Sequence, residues 1–583
     1  MSPDALPPAF PARAPWGTAE RLRAWQEEAI EAYLAANEPD YLVAATPGAG
    51  KTTFALRLAA ELKRTGVIDR ITVVAPTEHL KRQWADAAAR IGIRLDPAFR
   101  NASRSTGRHF HGVAVTYAQV AARPLLHRLM TESGLSLVIL DEVHHGGDAL
   151  SWGDAVRTAF EPARRRVSLT GTPFRSDAAP IPFVRYRDTT GGGRVSETDF
   201  RYGYGRALQD GVVRPVVFLT YAGTMKWRTR AGDEFEARLG DPDTADVTAQ
   251  AWRTALDPAG DWMRQVLEAA DRRLTAVRET VPDAGGLVIA SDRASARAYA
   301  RMLESISGEH PTVVLSDDSD ASGRIEQFAT SMTRWMVAVR MVSEGVDVPR
   351  LMVGVYATSA STPLYFAQSV GRFVRARRRG EVASVFLPTV PSLLGLASEL
   401  EAERDHVLGR GEPETVAGML DDVRLGAARR DEDASDDLGS YVALESTAEF
   451  DSALFDGVGF GMTAAAGSPE ELDFIGLPGI LEPDQVQQLL RHREARQRRR
   501  ASVGGRVATP PPVSETPPPA LYRTLAEQRR LLNSLVGLRA RLTNQPHGMI
   551  HAELRRTCGG PEVSKATVAQ LQARIDLVRR LIG

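Results

Sequence analysis

The stretch Ala44-Ala45-Thr46-Pro47-Gly48-Ala49-Gly50-Lys51-Thr52-Thr53 decides how the chain is read. An apolar run, Tyr41-Leu42-Val43, precedes it, and a helical pattern with Phe54, Leu56, Leu58, Ala59 and Leu62 on one side follows. Strand, glycine-containing loop and helix form a setting in which backbone N–H groups and a helix N-terminus converge on an anion. In such a loop Thr46 to Thr53 cradle phosphates, Lys51 reaches the β- and γ-phosphates, and the Thr52 hydroxyl is a Mg²⁺ ligand. The common pattern opens with glycine, where this chain has Ala45. The competing reading is an ordinary glycine turn before a helix, and the rest of the chain decides between them.

At 583 residues the chain exceeds what one hydrophobic core sustains, so several domains joined by linkers are expected. A 43% hydrophobic and 25% charged composition is that of a soluble globular protein. With a formal net charge of −1 there is no overall basic excess, so any nucleic-acid site must be a local patch. The basic residues are nearly all arginine. The lysines are Lys51, Lys63, Lys81, Lys226 and Lys565, so Lys51 in the glycine loop stands out. Cys558 is the sole cysteine; this excludes disulfides within the chain and cysteine-rich metal sites, and suits a reducing cytoplasm. The Pro-rich start lacks the apolar core of a signal peptide, and no run is long and apolar enough to span a bilayer, so no membrane partner is expected.

Ahead of the loop, residues 1–18 read as a disordered tail, and Arg23-Ala24-Trp25-Gln26 opens a helix. Gln26 stands where a glutamine can read the adenine edge of ATP; alone it would read as a surface residue, and the nearby loop favours the adenine contact. After the loop helix, Ile71-Thr72-Val73-Val74-Ala75 ends in Pro76-Thr77, and Val113-Ala114-Val115 ends in Thr116. Buried parallel strands carry functional residues at their C-terminal ends. Taken singly Thr77 and Thr116 read as helix caps; their matching positions, with Pro76, favour contacts to a nucleic-acid backbone.

Leu137-Val138-Ile139-Leu140-Asp141-Glu142-Val143-His144-His145 delivers two carboxylates to a strand end. Asp141 suits Mg²⁺ held through water, and Glu142 suits orienting or deprotonating an attacking water. His144 reads as a relay to a neighbouring motif; a zinc pair lacks cysteine partners and helical spacing. Val167-Ser168-Leu169 leads into Thr170-Gly171-Thr172-Pro173-Phe174-Arg175, whose hydroxyls, Thr170 and Thr172, would couple the acid pair to motion elsewhere.

In this order the motifs resemble the first motor domain of a superfamily 2 helicase: an adenine glutamine, Walker A, motifs Ia and Ib, an Asp-Glu-x-His box and Thr-Gly-Thr-Pro. Asp-Glu-Val-His-His with Thr-Gly-Thr-Pro-Phe-Arg is most similar to the branch holding type III and type I restriction motor subunits, XPB-like and RadD-like proteins. DEAD-box RNA helicases carry Asp-Glu-Ala-Asp and Ser-Ala-Thr instead. The resemblance implies a second motor domain, and strands alternating with helices resume at Gly286-Leu287-Val288-Ile289-Ala290 and continue to Val382–Leu387. Ser343-Glu344-Gly345-Val346-Asp347 matches motif V, and Gln368-Ser369-Val370-Gly371-Arg372-Phe373-Val374-Arg375 matches motif VI. In a helix Arg372 and Arg375 share a face with Gln368, where two guanidiniums clamp developing phosphoryl charge as arginine fingers. The resemblance also implies nucleotide contacts from Gly345 and Asp347 and nucleic-acid contacts from Ser343 and Arg175.

The expected fold is α/β, with two tandem RecA-like parallel-sheet domains plus a small C-terminal α-helical module. The boundaries read as motor domain 1 at 19–220, a linker or helical insertion at 221–282, motor domain 2 at 283–395, an acidic then basic accessory region at 396–501, a Pro-rich linker at 502–519 and the helical module at 520–583. Trp227, Trp252 and Trp262 read as packing on the motors. The arginines from Arg491 to Arg500 read equally as a nucleic-acid arm or a solvated helix. The expected activity is that of a nucleic-acid-dependent ATPase using ATP and Mg²⁺, acting on duplex or single-stranded DNA as a helicase or translocase. An RNA helicase is the alternative, as is a non-catalytic scaffold binding a protein partner through the C-terminal module.

Overall fold

The computed structural model describes residues 21–103, 106–143, 150–171, 180–188, 194–229, 234–241, 245–315, 321–339, 348–399, 407–408, 441–504, 547–559 and several positions between 532 and 578. The chain divides into two compact units, Met1–Val503 and Gly504–Gly583.

The first unit opens with β1 (Asp40–Ala45), β2 (Arg70–Ala75), β3 (Leu95–Asp96), β4 (Gly112–Thr116), β5 (Ser136–Leu140) and β6 (Arg165–Thr170). A small ribbon, β7 (Arg185–Asp188) and β8 (Arg194–Glu197), precedes β9 (Phe200–Tyr202). The larger sheet runs β3-β4-β2-β5-β6-β1-β9, with every pair parallel. Strands β4, β5 and β6 are buried at every residue, as in a sheet covered on both faces. Successive side chains serve opposite cores: Leu137 and Ile139 join Trp25, Phe54 and Leu58, while Val138 and Leu140 join Val113, Val115 and Phe160. From β1 the chain crosses past β6 and β5 to reach β2, so the C-terminal ends of β1, β5 and β6 open onto one crevice.

The helix Tyr204–Gln209 then leads to Val213-Arg214-Pro215, the crossing into the second sheet. That sheet holds β10 (Val216–Thr229), β11 (Glu234–Leu239), β12 (Gly285–Ala290), β13 (Thr312–Val314), β14 (Trp335–Val339), β15 (Leu351–Ala357) and β16 (Ala383–Pro388). After β17 (Val407–Leu408), which pairs with β8, it adds β18 (Tyr441–Ser446), β19 (Glu449–Phe455), β20 (Val458–Phe460) and β21 (Ala464–Ala465). The order β13-β14-β12-β15-β16-β10 is parallel, and β19, β11 and β18 add antiparallel to β10.

This differs from the expected boundaries in two places. Residues 216–229 form one 14-residue strand of the second sheet, across the expected boundary between motor domain 1 and the linker or helical insertion. Residues 441–465 of the accessory region complete the same sheet. Gly223 lies within this strand: its φ is +144°, and a β-carbon there would stand 1.6 Å from the Thr447 carbonyl oxygen. Trp227, Trp252 and Trp262 are all buried, Trp227 against Phe235.

The basic helix Pro483–Gly504 packs Val486 and Leu490 inward, and Gln497 exchanges hydrogen bonds with the Met462 backbone. Arg496 and Arg500 pair with Asp473, and Arg498 with Glu494. In the second unit, Leu532, Val536, Ile550, Leu554, Leu571, Ile575 and Val578 form a core, and His547–Cys558 is a helix. Among the described residues no helix is long and apolar enough to cross a membrane.

Candidate nucleotide site between two motor lobes

The glycine loop links β1 to the helix Lys51–Arg64. Its turn is closed by Ala49 N–H donating to Thr46 O at 3.1 Å, and Thr46 N–H donates to Tyr202 O at 3.0 Å. Gly48 and Gly50 adopt φ of +80° and +97°, a region that side chains disfavour. Gly50 is the helix N-cap, so the N–H groups of Lys51, Thr52 and Thr53 have no carbonyl one turn back within the helix. Thr46, Thr52 and Thr53 are buried at this end of the sheet.

The carbonyls of the loop are taken up from the other side by the helix Ala24–Ala36 and the residue before it. Arg23 Nη1 donates to Gly48 O at 3.1 Å and Ala49 O at 2.6 Å, and Trp25 Nε1 donates to Ala49 O at 3.2 Å. Gln26 Nε2 donates to Gly50 O at 2.8 Å, while its Oε1 accepts from Arg23 N–H at 2.8 Å. Gln26 therefore fastens the loop in this structure. Arg23 and Trp25 went unread in the sequence as loop anchors, because a donor two dozen residues upstream leaves no local signature. Trp25 stacks on Tyr202 at 4.9 Å, and burial, then Asp210, holds the Tyr202 phenol above its ordinary pKa.

Lys51 Nζ meets Glu142 Oε1 at 2.7 Å, and Gly171 N–H donates to Glu142 Oε2 at 2.9 Å. Glu142 has a φ of +47°, an uncommon backbone held by these two bonds on its side chain. Gly171 packs tightly: a β-carbon there would stand 3.0 Å from Lys51 Nζ. Asp141 is buried at the end of β5. Its Oδ2 accepts from Trp84 Nε1 at 2.7 Å, and its backbone oxygen from the Tyr117 hydroxyl at 2.9 Å. Thr170 is wholly buried at the end of β6. His144 and Thr172 lie outside the described residues, as do Arg175, Ser343, Gly345 and Asp347.

The second lobe brings Arg375 to the loop, in a form the sequence did not suggest. The helix carrying Gln368 spans Pro363–Val370 and stops at its C-cap, Gly371. Arg372 follows in a turn, and Arg375 sits in an antiparallel bridge to Val213, so the two do not share a helix face. The physical cause is packing. A β-carbon on Gly371 would stand 2.8 Å from Pro47 Cγ, and one on Gly354 would stand 2.4 Å from the Phe373 ring. Past the helix end, Phe373 and Val374 are both buried. Arg375 nevertheless reaches the loop: a β-carbon on Gly48 would stand 3.1 Å from its Cγ. Arg372 is buried nearby in sequence, and Gln368 is half-buried.

Arg214 anchors this turn from the crossing. Its guanidinium is 1% exposed and donates to Phe373 O at 2.6 Å, to Glu381 Oε2 at 3.1 Å, to Pro349 O at 3.2 Å, and to Leu351 O. Glu381 also accepts from the Arg377 backbone N–H at 2.9 Å.

Away from the loop, Thr77 and Thr116 do act as helix caps, accepting from Leu80 N–H at 3.3 Å and Gln119 N–H at 3.2 Å. A capping hydroxyl accepts through a lone pair and retains its O–H proton as a donor. Pro76 and Thr116 line an open depression of about 520 Å³ with Glu78, Arg100, Asn101 and Gln119. Arg100, exposed there, was not singled out in the sequence.

Residues 20–175 match the family described as type III restriction enzyme, res subunit. Uncharacterized protein MT2985 of Mycobacterium tuberculosis is 55% identical over 567 residues, covering 96% of this chain and 92% of that protein. DNA 3'-5' translocase XPB2 of Sulfurisphaera tokodaii is 24% identical over 377 residues, covering 61% of this chain and 79% of that protein. A fragment of an HsdR subunit from Vibrio vulnificus YJ016, a type I restriction enzyme, is similar in structure, with a TM-score of 0.45, 17% identity and 70% of each chain covered. The chain belongs to one family with the mycobacterial protein, and that family lies within the superfamily 2 helicases, on the branch of type III restriction motors and XPB-like proteins.

Proposed function

We propose that the chain is a nucleic-acid-stimulated ATPase that works as a DNA helicase or double-strand translocase, hydrolysing ATP between its two RecA-like lobes. The observation that carries this reading is the approach of Arg375 in one lobe to Gly48 in the other, beside the Lys51–Glu142 pair. Loop and arginine come from two lobes that meet at the Val213-Arg214-Pro215 crossing, so a change at the loop is felt as a change in lobe closure.

The residues fit a Mg²⁺-nucleotide. Gly48 and Gly50 present no side chain, the loop's carbonyls are bound by Arg23, Trp25 and Gln26, and a buried carboxylate, Asp141, stands at the end of β5 in the same sheet. ATP supplies the phosphoryl group and Mg²⁺ its charge neutralisation. The N–H groups of residues 48–53 orient the phosphates, and Lys51 exchanges Glu142 for phosphate oxygens. Thr52 and Asp141 would hold the cation. Glu142, released from Lys51, takes the proton of the attacking water. Arg372 and Arg375, with Gln368, stabilise charge from the opposite lobe. Gln26 keeps the loop in place and turns its remaining amide capacity to adenine. Thr170 and Gly171 pass the state of Glu142 onward. Pro76, Thr77, Thr116 and Arg100 grip a phosphate backbone without reading its sequence.

DNA is favoured over RNA because a relative is described as a DNA translocase. A cytoplasmic site follows from nucleic-acid work and a lone cysteine. The test is ATP turnover with duplex DNA, single-stranded DNA and RNA. Strongest stimulation by DNA supports the reading, stimulation by RNA alone replaces it with an RNA helicase, and no turnover with any polymer leaves the scaffold.

A further inference from the structure

Asp141 is held at two atoms by residues of two different helices. Trp84 belongs to the helix Glu78–Arg90, whose N-cap is Thr77, and its indole N–H reaches Asp141 Oδ2 at 2.7 Å. Tyr117 is the first residue of the helix Tyr117–Ala122, whose N-cap is Thr116, and its hydroxyl reaches Asp141 O at 2.9 Å. All three residues are buried. A hydrogen bond to a carboxylate is charge-assisted, and at this length it fixes which way the carboxylate faces.

The two helices are also tied together at their starts. Lys81, 4% exposed, donates to Gln119 Oε1 at 3.3 Å and pairs with Glu78 at 2.7 Å. The same Gln119 Oε1 accepts from Thr116 N–H at 3.0 Å, inside the capping box. Thr116, Gln119 and Glu78, the ion-pair partner of Lys81, border the open depression, while Trp84 and Tyr117 extend from the same helices to Asp141.

We infer that Trp84 and Tyr117 are positioning residues that aim Asp141 at the nucleotide's cation and make that aim depend on a polynucleotide seated at Thr77 and Thr116. This rests on the ATPase reading above. A phosphate backbone bound at the caps steadies both helices, and the steadied helices steady the carboxylate. Coupling of this kind is reciprocal: whatever factor the polymer adds to cation affinity, the cation-bound nucleotide adds to polymer affinity.

The test uses the full chain, the fluorescent nucleotide mant-ADP, Mg²⁺, and a duplex oligonucleotide. In the wild type, duplex lowers the Mg²⁺ concentration that half-saturates mant-ADP binding, and Mg²⁺ strengthens duplex binding by the same factor. Trp84→Phe keeps the ring and removes the donor; Tyr117→Phe removes one hydroxyl and carries the test should Trp84→Phe misfold. Each is expected to raise the Mg²⁺ half-saturation, by roughly 10–100-fold for Trp84→Phe as for other partners of metal-holding side chains, and to abolish the shift caused by duplex. Affinity for mant-ADP in EDTA should stay within about twofold, because an aimed carboxylate matters only to the cation. Wild-type Mg²⁺ titrations in both variants overturn the inference, as does a parallel loss of affinity in EDTA, which marks a packing role. A wild-type chain that binds no mant-ADP at any Mg²⁺ concentration overturns the nucleotide reading itself.

Discussion

Arg375 lies over Gly48: a β-carbon on the glycine would stand 3.1 Å from Arg375 Cγ and 3.6 Å from its Cα. Gly48 therefore meets two demands at once, a φ of +80° and close approach of the opposite lobe. Gly48→Ala should weaken Mg²⁺-nucleotide binding by about tenfold, since a non-glycine residue in this region costs roughly 1–2 kcal/mol. Equilibrium binding measures it, with a melting curve to show that the fold survives.

Removing the arginine instead of the glycine separates binding from turnover. Arg375→Ala should bind nucleotide nearly as well as the wild type and hydrolyse it about 10³–10⁵-fold more slowly, the range for an arginine finger. A variant that turns over ATP at the normal rate would sink the two-lobe site.

Glu142→Gln keeps an acceptor for Gly171 N–H but loses the ion pair with Lys51 and the capacity to take a proton. Turnover should fall by about 10²–10⁴-fold with nucleotide binding kept or improved. Single-turnover hydrolysis decides; unchanged chemistry would move the base elsewhere.

The Arg214–Glu381 pair is 1% and 0% exposed, and removing Arg214 leaves the buried Glu381 with Arg377, at 3.3 Å, as its remaining ion partner. Arg214→Met should destabilise the lobe by at most about 3–5 kcal/mol, the range for a buried charge left without any partner, and Arg214→Met with Glu381→Met should recover part of it. Chemical denaturation followed by a probe in the second lobe reports the difference. Turnover should also fall, because Arg214 holds the Phe373 carbonyl between the two site arginines.

Burial pushes the His127 imidazole down to about 4, against a weaker upward pull from the Gln119 backbone. The folded chain keeps it neutral where the unfolded chain, near 6.5, is already protonated. Between these values the unfolded state binds more protons, so stability falls as pH drops from about 6.5 to about 4, by on the order of 3 kcal/mol. Melting temperature against pH should show the decline, and His127→Gln should flatten it.

The first sheet and the family were legible because each signal was local: an apolar strand, a polar tip and a helix, repeated in order. Lys51, Asp141 and Glu142 sit at such tips. Arg23, Trp84, Tyr117 and Arg214 could not be read this way, since each gains its contact only when distant strands are brought side by side. Motif VI shows another limit. Its spacing suits a helix, but the helix stops at Gly371, the glycine against which Pro47 of the other lobe packs. The long strand β10 escaped notice for a third reason: Gly223 interrupts its apolar pattern, and its partners β18 and β19 have half-exposed, mixed sequences.

Strand β10 also sets a timetable for biogenesis. Thr220 donates its hydroxyl to the Ser452 carbonyl across 232 positions of sequence. At ordinary rates of translation, roughly 10–50 s separate the appearance of those two residues from the ribosome. During that interval one side of β10 is an unsatisfied ladder in the nascent chain, open to other strands. The second sheet can close along β10 only after Ser452 has been made.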